Sequence, residues 1–133
     1  PLAHGGYSYV LGFHDHHSRL HMFYLLRNKT HAAVEEKMNE YLAWCTSVGV
    51  APKWMPSDNA NELTDPRVKS KLASMNIRLT TSSARVPRQN GVIEKRWRIL
   101  SNDTRTILNE TRLPTSWCWY LVQAHSRVSH CLP

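Results

Sequence analysis

Asn90-Gly91-Val92-Ile93-Glu94-Lys95-Arg96-Trp97-Arg98-Ile99-Leu100-Ser101 begins a stretch with two different faces. Continued to Thr111, it places Ile93, Trp97, Leu100, Thr104 and Ile107 on one side of a 3.6-residue helix, which predicts a buried stripe. Asn90, Glu94, Arg98, Ser101 and Arg105 fall at i, i+4, i+8, i+11 and i+15 along a second, polar stripe. A helix of this length with one apolar stripe needs another layer to cover it. The rest of the chain must therefore supply that layer.

Working outward from it, the sequence supplies strands. Tyr7 to His14 alternates Tyr9, Leu11 and Phe13 with Ser8, Val10, Gly12 and His14, which predicts a strand. Leu20 to Leu26 is nearly all apolar and predicts a central strand. The short Asp15-His16-His17-Ser18 turn makes the two an antiparallel hairpin. Thr30 can cap a helix that Gly49 ends, with Val34, Met38, Tyr41, Leu42 and Cys45 on one face. Pro52 to Ser57 predicts a short strand with Asp58 at its exit. Asp65-Pro66 starts a helix faced by Val68, Leu72 and Met75. Ile77 to Ser82 predicts another strand, followed by a Pro87-containing loop to Gln89. Leu113-Pro114-Thr115 breaks the long helix, and Ser116 to about His130 predicts a last one. Strands alternating with helices imply an α/β fold, a mixed sheet flanked by helices, in one domain over residues 1–133.

Charge and composition narrow the partners. The 133 residues carry a net charge of +7. Eleven basic residues against three acids between Arg67 and Arg112 account for the whole excess. Such a segment suits a polyanion such as nucleic acid, although a solvated basic face has the same composition. No apolar run approaches the roughly 20 residues that span a membrane. Cys45, Cys118 and Cys131 are far apart and odd in number, so no disulfide framework or cysteine zinc site is indicated, and an intracellular protein is expected. The absence of an initiator Met suggests a piece of a longer polypeptide.

The chemistry rests on two carboxylates. Asp58 follows a strand, Glu94 lies in the first turn of the long helix, and thirty-five residues separate them. A strand-end and a helix carboxylate can meet at one sheet edge, where they repel unless a cation lies between them. Carboxylate oxygens suit Mg²⁺ or Mn²⁺. The structural alternative is that Asp58 caps a turn and Glu94 is a first-turn acid favoured by the helix dipole.

The motifs decide between these readings. Pro87-Arg88-Gln89-Asn90-Gly91-Val92-Ile93-Glu94-Lys95 resembles the P-x-x-N-G-V-x-E-[KR] signature of retrotransposon integrases. Ser57-Asp58-Asn59 resembles their S-D-N-G motif. Gly6-Tyr7-Ser8-Tyr9-Val10 with Asp15-His16-His17-Ser18-Arg19 resembles the G-Y-x-Y-V and D-x-x-S-R stretch of copia-type elements. Leu113-Pro114, Trp117 and Ala124 resemble the tail of the core. The resemblance implies an RNase H-like catalytic core of a copia-type Pol polyprotein. Its activity would be metal-dependent 3′ processing and strand transfer of element DNA into target DNA.

By position, the resemblance makes Asp58 and Glu94 catalytic metal ligands for Mg²⁺ or Mn²⁺. It places Arg88, Gln89, Asn90, Lys95, Arg98 and Arg105 against DNA. The implied partners are element ends, target DNA and further copies of the chain, with no membrane, and the integration step implies the nucleus. The family's first catalytic Asp belongs to an earlier strand, expected just before Pro1, so this fragment alone is expected to hold an incomplete site and to lack its first strand. Asp15 then reads as a turn residue whose carboxylate accepts backbone N–H bonds. His14, His16 and His17 read as solvated turn histidines. The Trp117, Trp119 and Tyr120 cluster reads as core packing or a dimer surface. Ala60 stands where the family has Gly, which favours the alternative of an inactive, degenerate or domesticated fragment that only binds nucleic acid.

Overall fold

The computed structural model describes residues 5–57, 65–81 and 91–128. In chain order the elements are β1 (Tyr9–His14), β2 (His21–Leu26), α1 (His31–Ser47), β3 (Trp54–Ser57), α2 (Pro66–Ser74), β4 (Arg78–Thr81), α3 (Gly91–Thr111) and α4 (Cys118–Val128). A 3₁₀ turn, Thr115–Trp117, leads into α4. The chain divides into two compact units, Pro1–Asn28 with Val92–Pro133, and Lys29–Gly91. It is a mixed α/β fold, with an antiparallel pair in the first unit and a parallel pair in the second.

In the first unit, β1 and β2 pair in antiparallel register from Tyr9 opposite Leu26 to His14 opposite His21. The Asp15 N–H donates to the Leu20 carbonyl at 2.8 Å. Hydrogen-bonded and non-bonded pairs alternate along such a ladder. The Gly12–Phe23 pair is therefore non-bonded, and the Phe23 N–H points away from β1. It donates instead to the Ser126 hydroxyl of α4 at 3.0 Å, in a buried position. The apolar run of β2 predicts a central strand, but among the described residues β2 pairs only with β1. Its apolar side chains are covered by helices: Phe23 and Leu25 form a buried cluster with Leu100 of α3 and Val122 of α4.

The stripe of α3 is rotated slightly from the sequence expectation. Leu100, Thr104 and Leu108 are buried, Ile93 and Ile107 are half-buried, and Trp97 stays 37 % exposed. The contact line continues from Thr104 by four residues rather than three. The Trp97 ring still touches Phe23, with centroids 5.8 Å apart. Ser116 and Trp117, expected at the start of the last helix, lie in the 3₁₀ turn, and Trp117 is exposed.

In the second unit, Thr30 caps α1 by accepting from the Ala33 N–H. Val34, Met38, Tyr41, Leu42 and Cys45 are its buried face, as the periodicity requires. Gly49 follows it with φ +74, the left-handed conformation that a residue without Cβ adopts cheaply. Asp65 caps α2, Pro66 occupies its first turn, and Val68 and Leu72 are buried. Met75 is not on that face: it lies past the last turn and is 44 % exposed. β3 and β4 are parallel, Trp54 opposite Arg78 through Ser57 opposite Thr81, with α2 as the crossover packed on β4.

Candidate metal and nucleic-acid site

The expected site residues divide between described and undescribed positions. Asp58, Arg88, Gln89 and Asn90 lie outside the described residues, as does Ala60. Ser57, the residue before Asp58, ends β3 and is buried. Glu94 is in the first turn of α3 and exposed. Lys95, Arg98 and Arg105 are exposed on the same helix, and Ser101 is half-buried. Glu94, Arg98, Ser101 and Arg105 project along one stripe, roughly 90° around the helix from the buried line.

Partners separate Glu94 from most of the other acids. Glu35 pairs with Lys71 at 3.7 Å, and Lys37 holds both Glu36 and Glu40. Asp65 accepts from the Arg67 N–H at 2.7 Å while capping α2. Asp103 meets His125 Nε2 at 3.0 Å. No ion pair or hydrogen bond joins Glu94 or Glu110 to another described residue. Of these two, Glu94 occupies the helix N-terminus, where the macrodipole favours the charged carboxylate. It is an accessible carboxylate oxygen donor.

Asp15 is engaged elsewhere. Its carboxylate accepts from the Ser18 hydroxyl, from the Ser18 N–H at 2.8 Å and from the His17 N–H at 3.4 Å. The Ser18 hydroxyl bond, helped by the two backbone donors, holds the Asp15 carboxyl below its ordinary value. Its lone pairs thus close the hairpin turn, as a turn residue's should. Among the described residues no three His, Cys, Asp or Glu side chains gather as a metal site.

The stripe did not single out one further basic group, Arg96. It is half-buried, on the far side of α3 from Arg98 and Arg105. The sequence signal for its neighbourhood is Gly12. A Cβ there would meet Phe23 Cε1 at 2.9 Å and Ile93 Cδ1 at 3.1 Å, so β1 lies directly against the start of α3.

No family model matches the chain, and no curated protein does. Solved structures do. The magnesium complex of the HTLV-2 integrase catalytic core domain in its trimeric form is 16 % identical, with a TM-score of 0.61. The match covers 86 % of this chain and 70 % of that one. The dimeric form of the same domain, also with magnesium, gives a TM-score of 0.60 at the same identity and coverage. The fold is that of an integrase catalytic core. At this identity the likeness establishes the integrase-like architecture, and the chemistry has to be argued from the residues.

Proposed function

We propose that this chain is the catalytic core of a retroelement integrase of copia type, which processes 3′ ends and transfers element DNA into target DNA. The observation that carries the reading is Glu94: an exposed carboxylate without a described partner, in the first turn of a long basic helix, within an integrase-core fold. Glu94 with Asp58 would hold Mg²⁺ or Mn²⁺, and the hard oxygen donor of Glu94 fits that role. The magnesium in both HTLV-2 structures supports the same assignment. When bound, the metal supplies an activated oxygen nucleophile and charge stabilisation at the leaving oxygen.

The protein's own groups bind and position the DNA. Lys95, Arg98 and Arg105 neutralise phosphates beside Glu94, with Arg88, Gln89 and Asn90 ahead of them in sequence. Such contacts fix the DNA register and read little sequence. Two DNA molecules must be joined, so an assembly of several copies acting in the nucleus is part of the proposal.

The test is strand transfer of a labelled oligonucleotide by the full-length protein that carries this chain, with Mg²⁺ or Mn²⁺. Glu94→Gln and Asp58→Asn should each abolish transfer. Glu94→Gln should also remove Mn²⁺-induced NMR line broadening around the first turn of α3. Undiminished transfer by the double variant would sink the assignment. A second reading, a DNA-binding fragment without turnover, is favoured by Ala60 in place of the family's Gly. DNA binding with no metal-dependent transfer by the unsubstituted protein would establish it.

A further inference from the structure

The aromatic residues around the start of α4 divide by direction. Trp119 packs inward against the Phe23, Leu25, Leu100 and Val122 cluster, whereas Trp117 and Tyr120 are exposed. The Trp117 and Tyr120 rings touch, with centroids 5.6 Å apart and planes tilted by 48°. Gly5 joins this pair to a third ring. A Cβ at Gly5 would lie 2.8 Å from Tyr7 Cε2 and 3.3 Å from the Tyr120 hydroxyl, so both tyrosines close around it. A side chain there would push the Tyr7 ring away, and the φ of +90 at Gly5 also favours glycine. Tyr7 in turn carries a cation. The exposed Arg27 places its guanidinium over the Tyr7 ring, 5.7 Å from the centroid. Arg27, Tyr7, Tyr120 and Trp117 thus adjoin in that order within the first unit. Stacking orients the Arg27 guanidinium, yet no ion pair or hydrogen bond joins it to another described residue. Its fork of N–H donors is held in place and unclaimed.

We infer that Arg27, Tyr7, Tyr120 and Trp117 form a binding strip for the unpaired nucleotides of single-stranded DNA, apart from the duplex-binding residues Arg98 and Arg105. Exposed indole and phenol rings offer faces on which bases stack, and the oriented guanidinium takes a phosphate of the same strand. A duplex already covers its base faces with neighbouring pairs, so the rings favour unpaired nucleotides over duplex. Stacking is tolerant of sequence, because every base has a π-face. Charge argues against a second copy of the chain as the occupant. A two-fold contact sets the same patch against itself. The strip has a cation and no acidic side chain, so two copies would bring like charges together, whereas a phosphodiester brings the opposite charge. The choice of DNA rather than RNA rests on the integrase reading.

The experiment titrates a short single-stranded DNA of mixed sequence into the full chain. It follows tryptophan fluorescence, assigned with Trp117→Phe, and the anisotropy of the labelled strand. Binding should quench the Trp117 emission. Trp117→Ala and Tyr120→Ala should each raise Kd by roughly 5- to 150-fold, the loss of one stacked base. Trp117→Phe, which keeps a ring if the smaller variant misfolds, should raise it less. Arg27→Ala should lower the log–log salt slope by about 0.7, and Arg27→Lys should keep it. An abasic strand with the same phosphates should bind several-fold more weakly. Equal binding of the abasic strand, or an unchanged Kd in Trp117→Ala, would overturn base stacking. A Trp117→Ala protein with altered sedimentation and unaltered strand affinity would make this face an interface between copies and overturn the inference. Tighter binding of the matching RNA would overturn the choice of DNA. Strand transfer by a chain that binds no single strand would overturn this inference alone, and single-strand binding without strand transfer would overturn the integrase reading alone.

Discussion

Ser126→Ala tests how the first unit is held together. The ladder phase set by the Asp15–Leu20 bond turns the Phe23 N–H outward, and the Ser126 hydroxyl takes it at 3.0 Å in a buried position. Ser126 is 4 % exposed, so little water can replace it. Removing one partner leaves a buried donor unsatisfied, which costs about 1–3 kcal/mol. Alanine is nearly the size of serine, so no cavity adds to this. Taking about 2 kcal/mol, a domain of this size should lose on the order of 8 °C in Tm. Thr104→Val is the matched control on α3. The Thr104 hydroxyl is buried and has no hydrogen-bond partner among the described residues. Deleting it at equal volume should be neutral or stabilising by up to about 1 kcal/mol. Urea denaturation followed by circular dichroism gives both values, and they count only if the slope m stays constant. A Ser126→Ala protein within about 0.5 kcal/mol of the parent would refute the claim that α4 satisfies this strand edge.

Other outcomes follow from single residues. Leu100→Ala should cost about 2–5 kcal/mol, because Leu100 is 1 % exposed in the cluster with Phe23, Leu25 and Val122; a urea midpoint within error of the parent's would contradict that packing. Arg98→Glu/Arg105→Glu should weaken duplex binding and reduce its log–log salt slope by about two, which anisotropy at several salt concentrations measures; an unchanged slope would exclude this face. His14 has a folded value below its ordinary 6.5, so acid favours the unfolded chain. The stability it confers is complete above pH 6.5 and is lost as pH falls through the folded value. His14→Gln should flatten that part of the Tm–pH profile. Asp15 has the same sign at lower pH, its contribution being present above 3.8 and lost as pH falls through its folded value. Asp15→Asn should lower Tm at neutral pH while leaving Mn²⁺ broadening at Glu94 intact; loss of that broadening would make Asp15 a metal ligand after all.

The helices were legible where one-dimensional periodicity coincides with burial. All five residues placed on the face of α1 are the buried ones, and Thr30 and Asp65 cap where their side chains and the following residues say they should. Strand position was less legible. The apolar run of β2 indicated a central strand, but among the described residues it pairs only with β1; helices bury its Phe23 and Leu25 face, Met22 and Tyr24 are half-buried, and a serine hydroxyl takes the Phe23 N–H. Periodicity reports that a side chain is covered, not by what. The same limit explains Trp97, whose position on the stripe is right and whose ring touches Phe23, yet whose indole stays 37 % exposed.

The candidate site shows a different limit. A motif marks a residue's identity, whereas its availability depends on what its neighbours do with its oxygens. The motifs read Glu94 as a ligand and Asp15 as a turn residue, but as side chains the two offer the same oxygens. In the fold, three donors from Ser18 and His17 commit Asp15 to the turn, while Glu94 sits at the positive end of α3 with no described competitor. Moving Asp15 to a metal would break those three bonds and open the hairpin that carries His14 and His16. The turn acid is thus tied to the integrity of the hairpin. Asp15→Asn should therefore leave metal binding at Glu94 intact yet loosen the turn, read as faster amide exchange at His17 and Ser18, whose N–H groups now donate to the Asp15 carboxylate.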